Sequence, residues 1–353
     1  MTPERTWIEV NLAALVANAR TVLARNPGAR LLPMVKADAY GLGAVPAARA
    51  LEALDPWGFG VATVEEGAEL RRAGIQRPIL VVAPTVGALE EAKQHRLTPG
   101  IGSDAPLERW LAIAPGMPFH IEVDTGMGRA GYHPDAFVVA ATRCADQPGF
   151  EGAYTHFHSA DVAPESVKEQ RQRFAAALAA LPKRPALVHA ANSAAALLAP
   201  EAGEDLVRPG IFLYGGALPG FQPEPVVTWL ARIIDARWRD AGWTVSYGAT
   251  YRTSARTCLA TIAAGYADGV RRSLTGTGTA LVQGRRVAFA GRVTMDMTVL
   301  DAGDAEPPAG AVATLIGADG AETITLDEVA AAAGTISYEI LTGLSRRVER
   351  VYT

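Results

Sequence analysis

The sequence predicts an α/β protein: a (β/α)8 barrel of the TIM type followed by a mainly β C-terminal domain. Three observations predict it. From about residue 30 to 216, eight short β-rich apolar runs alternate with stretches rich in Ala, Leu, Glu and Arg at helical spacing. Each run is nearly continuous in apolar residues, which is the pattern of a parallel strand buried on both faces. After a Pro-rich segment at 218–225 the texture changes to short strands separated by Gly and Asp turns. A chain of 353 residues also exceeds the roughly 250–300 residues at which a single core stops growing. Two domains are therefore expected, a barrel over 11–222 and a β domain over 223–353, with residues 1–10 available to pair with the latter.

The eight runs are 31–37, 57–63, 78–84, 97–103, 119–125, 150–157, 186–192 and 207–215. The fourth has the weakest pattern. Eight strand–helix units within ~250 residues suit a closed barrel better than an open doubly wound sheet. In the second domain the strands are predicted at 244–251, 258–264, 279–282 and 312–316.

Composition narrows the function. With 49% hydrophobic and 20% charged residues the chain is an ordinary globular protein. A net charge of −4 without long Lys/Arg runs offers no electrostatic footprint for nucleic acid or for an acidic membrane. No stretch approaches the ~18 apolar residues of a membrane span, and the N-terminus has no signal-peptide core, so a cytoplasmic location is expected. Cys144 and Cys258 stand far apart with no CxxC spacing, which rules out a disulfide framework or a Cys-based zinc site. No metal is expected.

Only four lysines occur among 33 basic residues, so each can be weighed. Lys93 and Lys168 sit in charged helical stretches and Lys183 lies between prolines. Lys36 alone closes an apolar run, Leu31-Leu32-Pro33-Met34-Val35. A lysine leaving a buried strand loses hydration, its pKa falls, and the free amine becomes a nucleophile able to form a Schiff base. In a (β/α)8 barrel the catalytic groups lie at the C-terminal ends of the strands, where three further polar segments fall. Asp124-Thr125-Gly126-Met127-Gly128-Arg129-Ala130-Gly131 contains a GxGxxG, but Tyr132-His133-Pro134 follows where a dinucleotide fingerprint needs a helix start. His156 and His158 stand two apart near Asp161, a spacing that can ligate a metal, but His189 is the only other histidine at a neighbouring strand end and no HExxH occurs, so a satisfied polar role is expected. Asn192-Ser193 after strand 7 and Arg208-Pro209-Gly210-Ile211 around strand 8 offer small residues and backbone N–H groups for a phosphate. A Schiff-base lysine opposite a phosphate cradle suggests pyridoxal 5′-phosphate.

Here a resemblance becomes specific. Met34-Val35-Lys36-Ala37-Asp38-Ala39-Tyr40-Gly41-Leu42-Gly43 is similar to the cofactor-lysine motif of alanine racemases. Val245-Ser246-Tyr247-Gly248-Ala249-Thr250-Tyr251, Gly265-Tyr266-Ala267-Asp268-Gly269 and Gly291-Arg292-Val293-Thr294-Met295-Asp296 resemble three further motifs of that family, in family order. The resemblance implies a pyridoxal-phosphate enzyme interconverting L- and D-alanine by two-base proton transfer, with Lys36 on one side of Cα and Tyr247 of the partner subunit on the other. The active unit it implies is a homodimer. It further implies that Tyr40, Ser193, Gly210, Ile211 and Tyr338 hold the phosphate, that Arg208 faces the pyridine nitrogen and that His156 links Arg208 to the tyrosine. Arg129 would contact the cofactor's phenolic oxygen and the substrate, with Tyr266, Met295 and Asp296 completing the substrate site and Tyr266 and Tyr338 narrowing its entrance. Many members steady that arginine with a carbamylated lysine, where this chain has Glu122, so Glu122 is expected to orient Arg129. Serine or broader small amino acids are the alternative substrates, since apolar pockets reject an added hydroxyl only by ~10²-fold. A non-catalytic pyridoxal-phosphate carrier, which lacks the second domain, and a metal-assisted aldolase, which would need His156 and His158 on a cation, are the remaining alternatives.

Overall fold

The computed structural model describes residues 4–163 and 165–353; the first three residues of the 1–10 pairing segment lie outside them. The chain divides into two compact units. One holds the residues up to Ala14 together with Tyr214–Gly216 and Pro223–Thr353, and the other holds Leu15–Leu213 with Ala217–Gln222.

Strand β1 (Thr6–Val10) belongs to the first of these. The other unit is the barrel. Its strands are β2 (Arg30–Leu31), β3 (Phe59–Val61), β4 (Ile79–Val82), β5 (Thr98–Ile101), β6 (Phe119–Glu122), β7 (Phe150–Tyr154), β8 (Leu187–Asn192) and β9 (Leu206–Arg208). They pair in parallel in the order β2-β9-β8-β7-β6-β5-β4-β3. A parallel bridge between Met34 and Gly60 joins the two ends, supported by Val35 N–H donating to the Gly60 carbonyl at 2.8 Å. All eight predicted runs are present, but several end early. Pro33 and Pro209 have no N–H to give the ladder, so strand β2 is reduced to two residues plus the Met34 bridge, and 207–215 yields a strand only to Arg208, followed by the 3-10 turn Ile211–Tyr214. The run at 150–157 leaves the sheet after Tyr154. Between strands, helix Val64–Arg72 starts with a complete capping box of Thr63 and Glu66.

The second unit is built on a long strand, β10 (Val227–Arg239). It continues through β11 (Thr244–Val245), β12 (Tyr251–Arg252), β13 (Thr257–Ile262), β14 (Thr279–Val282), β15 (Arg285–Phe289), β16 (Thr298–Asp301), β17 (Val312–Asp319), β18 (Glu322–Ile324) and β19 (Glu349–Tyr352). Because β10 pairs with both β13 and β17, strands β10, β13, β16, β15, β14 and β17 close into an antiparallel ring, so each of these six has a neighbour on both sides. Trp229, Ile233, Phe289, Leu300 and Ile316 are buried there. The first half of β10 also takes β1 as an antiparallel neighbour, and β1 pairs in parallel with β19. The expected strand at 244–251 is instead a hairpin with two-residue arms, because Ser246 (φ 61°) and Ala249 (φ 48°) turn the chain left-handed between them. Tyr247 thus stands at a hairpin tip.

Gly152 on β7 tests the packing of the barrel interior. A Cβ there would meet His120 Nδ1 at 2.7 Å and the Leu187 carbonyl at 2.9 Å. Gly152→Ala is expected to destabilise the protein by roughly 1–3 kcal/mol in urea unfolding; a variant as stable as the parent contradicts this account of the interior.

Candidate active site

Lys36 is half-buried at the point where the first strand ends. The chain does not continue as an ordinary turn: Ala37, Asp38, Ala39 and Tyr40 all have φ between 52° and 57°, a left-handed helical turn made without glycine. Each such residue costs roughly 1–2 kcal/mol, so the turn persists only because its surroundings hold it. Asp38 Oδ1 accepts from Ala44 N–H at 2.7 Å, and Glu66 Oε1 accepts from Ala37 N–H at 2.7 Å. The turn buries Tyr40. At Gly210 a Cβ would collide with the Tyr40 hydroxyl, and the Gly210 N–H donates to Ser193 Oγ at 2.8 Å. Ser193 opens helix Ser193–Leu198, capped by the Asn192 side chain. Tyr40, Ser193 and Gly210, predicted from distant parts of the sequence, thus converge.

The Lys36 amine has its pKa lowered, first by burial and then by Arg129 and Arg208, with Glu66 acting in the opposite direction. Arg208, the last residue of β9, is fully buried. Burial pushes its pKa down to about 10, which leaves it a cation at neutral pH. It donates to the carbonyls of Thr155 at 2.7 Å and Ala190 at 3.1 Å, and its NH1 lies 2.7 Å from His189 Nδ1. His156 Nδ1 lies 3.5 Å from the same guanidinium. Guanidinium can only donate, so His189 must present a bare Nδ1 and carry its proton on Nε2. That nitrogen is 2.7 Å from His120 Nδ1, and His120 Nε2 is 3.3 Å from Glu151 Oε2. A directional relay of two neutral imidazoles therefore runs from Arg208 across the barrel to a carboxylate. Tyr154 stacks on His189 with ring centroids 4.9 Å apart and lies under the Arg208 guanidinium at 5.4 Å.

Sequence reasoning missed most of this relay. Its signal was present as polar residues at inward-facing, every-second positions of adjacent strands, His120 and Glu122 on β6, Tyr154 on β7 and His189 on β8. Glu122 is buried and accepts from Tyr154 Oη of the neighbouring strand at 3.1 Å, while Arg129 is exposed in the loop after β6 and acts on Glu122 through its charge. Burial raises the Glu122 pKa, against the opposing pull of the Tyr154 hydrogen bond, Arg208 and Arg129. Asp124 folds back to accept from Gly126 and Gly128 N–H, so the glycines of the GxGxxG serve an Asx turn. His156 and His158 diverge, the first toward Arg208 and the second to Ser159 Oγ at 2.6 Å.

In the second unit, Tyr247 is 72% exposed and shares a surface cavity with Ser246, Thr261, Thr294, Met297 and Val299. The Tyr266 and Met295 segments lie together, with Ala267 N–H donating to the Met295 carbonyl at 2.9 Å. Gly265 is required there, since a Cβ would strike the Thr294 and Met295 carbonyls. Arg347 ties the group: Nε meets Asp268 Oδ1 at 2.7 Å and NH2 meets Asp296 Oδ1 at 2.9 Å. Tyr338 stands on helix Ser337–Thr342. Tyr266, Met295 and Tyr338 are exposed.

Residues 10–218 match the family model for the alanine racemase N-terminal domain, and residues 226–352 match that for its C-terminal domain. The chain belongs to the alanine racemase family. It is 42% identical to an alanine racemase of Symbiobacterium thermophilum, the alignment covering 98% of this chain and 97% of that protein. The crystal structure of alanine racemase from E. faecalis superposes with a TM-score of 0.93 at 35% identity, covering 99% of this chain and 98% of the other. That of alanine racemase from Bartonella henselae, which carries covalently bound pyridoxal phosphate, superposes with a TM-score of 0.92 at 32% identity over 99% and 100% of the two chains. The barrel and the β domain are thus the alanine racemase fold, and the chain is a pyridoxal-phosphate-dependent enzyme.

Three of its histidines are held neutral. Burial is the main cause of the lowered pKa of His120, of His189 and of His156, the last pushed down to about 3 with Arg208, Arg129 and Lys36 adding to the effect. The unfolded chain binds protons at these sites near pH 6.5 and the folded chain does not. Stability is therefore full above that pH and declines as pH falls below it, by up to about 1.4 kcal/mol per pH unit for each histidine. Urea unfolding at a series of pH values checks this: the parent should lose stability on acidification and His156→Asn should lose it less steeply, whereas equal slopes contradict the assignment.

Proposed function

We propose that Lys36 and Tyr247 of the partner subunit are the two bases of the alanine racemisation that this chain catalyses. The desolvated Lys36 amine beside the buried Arg208 cation supports the reading. Pyridoxal phosphate, when bound, supplies an electron sink that acidifies the substrate Cα–H. The residues present fit it: an amine with a lowered pKa, a guanidinium whose carbonyl and imidazole partners fix it in place, and a cradle at Tyr40, Ser193, Gly210 and Ile211 where a Cβ on Gly210 would have no room.

In this reading Lys36 holds the cofactor and afterwards moves a proton at Cα on one face. Tyr247 of the partner subunit moves the proton on the other. Two facing bases are what inversion of a stereocentre needs, and each is typically worth ~10²–10⁴-fold. Arg208 would donate a hydrogen bond to the pyridine nitrogen of the bound cofactor, and as a guanidinium it would not readily give up a proton there. His156, neutral and 3.5 Å from Arg208, carries the influence of that cation toward the phenol. Arg129 orients the substrate, and Tyr266, Met295, Asp296 and Tyr338 frame a small side-chain space. The exposure of Tyr247 in a single chain agrees with a tyrosine that completes its site on a second copy, so a homodimer is the active unit. Among the described residues no helix is long and apolar enough to cross a membrane. We place the protein in the cytoplasm.

The test follows both enantiomers in deuterated water. L- and D-alanine should each racemise with loss of the Cα proton. Tyr247→Phe should cut exchange from L-alanine by at least ~10²-fold while cofactor capture at Lys36 persists. Undiminished exchange in that variant rejects the assignment of the phenol, and gel filtration showing an active monomer rejects the shared site.

A further inference from the structure

We infer that Glu66 is a positioning residue for Lys36: its carboxylate ties the first residue of the left-handed turn to the start of the neighbouring helix, and so fixes the direction in which the lysine leaves its strand. A capping-box glutamate needs one oxygen for its helix. Here Oε2 does that work, accepting from Thr63 N–H at 3.2 Å and from Ala62 N–H at 2.8 Å. Oε1 is then available to reach across to Ala37 N–H at 2.7 Å. Three backbone donors converge on one carboxylate, and no neutral side chain of the same shape can accept from both ends.

The position of the third donor gives the contact its meaning. Ala37 is the residue directly after Lys36. At the start of a helical turn its N–H has no partner within the turn, and here it goes to Glu66. On the other side of the lysine, Val35 N–H is fixed to the Gly60 carbonyl at 2.8 Å. Lys36 is thus clamped from both neighbours, by the barrel bridge before it and by Glu66 after it. The same carboxylate acts on the amine itself, opposing the push of Arg129 and Arg208 on its pKa. If Glu66 only capped helix Val64–Arg72, neither the reach to Ala37 nor the charge near the amine would matter.

The inference rests on Lys36 being the cofactor lysine, and the experiment separates the two. Apoprotein of the parent, Glu66→Gln, Glu66→Asp and Thr63→Ala is mixed with pyridoxal phosphate. Capture rate and the visible circular dichroism of the bound cofactor are followed, and borohydride reduction with peptide mapping locates the attachment. Glutamine presents a donor at one end, and aspartate reaches one end only. Both should slow capture roughly tenfold or more, the loss expected for a charge-assisted hydrogen bond, and both should change the dichroism. Thr63→Ala, which removes only a helix-cap hydroxyl, should lower the melting temperature and leave capture and dichroism as in the parent. Parent-like capture and dichroism in both Glu66 variants overturn the inference. Parent protein reduced anywhere other than Lys36 overturns the functional reading instead. Should Glu66→Gln fail to fold, Glu66→Asp alone decides.

Discussion

A guanidinium sealed inside a barrel can only donate hydrogen bonds, and that restriction organises the interior of this protein. Arg208 forces every neighbour to accept. Two main-chain carbonyls do so directly, and His189 does so by giving up the proton on Nδ1. That choice of tautomer passes to His120 and ends at Glu151, which is reached by water. One fixed cation thus sets the protonation pattern of a chain of side chains spanning four strands. The acidic side of the interior, Glu122 with Tyr154, is arranged around the same charge. A buried cation without such acceptors would be costly, so the relay is a condition for having Arg208 there at all.

The barrel was largely legible because its signal is periodic. Eight apolar runs of strand length predicted eight strands, and eight pair in parallel. What periodicity could not show was where strands stop. Pro33 and Pro209 end pairing by lacking a donor, and the chain at Lys36 enters a left-handed turn that no propensity favours. The hairpin at Tyr247 was misread as a strand for a similar reason, since Val, Tyr and Thr favour strands while Ser246 and Ala249 adopt positive φ without being glycine. Short segments that stand out in the sequence, as at Lys36, Arg208 and Gly210, pointed to residues that the structure finds buried or half-buried at or just after strand ends. The site was not legible where a role depends on which residue of another strand lies opposite, as for Glu122, His120 and Glu66.

Both misreadings fall on the two segments from which the proposed function takes its bases. A left-handed turn after Lys36 and a strained hairpin tip at Tyr247 are local choices the sequence alone disfavours, held in place by contacts with the rest of each unit. Each aims a side chain in a direction that regular structure would not give it. The loops at Met295 and Tyr266 reach the same end by another route, with Arg347 bridging Asp268 and Asp296 and a glycine permitting close backbone approach.

Strand β1 joins the ring that begins at β10 and lies parallel to β19. On the ribosome its partners are made long after it is, once the whole intervening barrel has emerged. Trp7, Ile8 and Val10, all buried in the folded protein, must wait unpaired until those partners are made. Such a delayed, long-range pairing is slow and exposes surface to aggregation. The second unit therefore cannot be obtained intact by cutting the gene after the barrel, because part of it is encoded before the barrel starts.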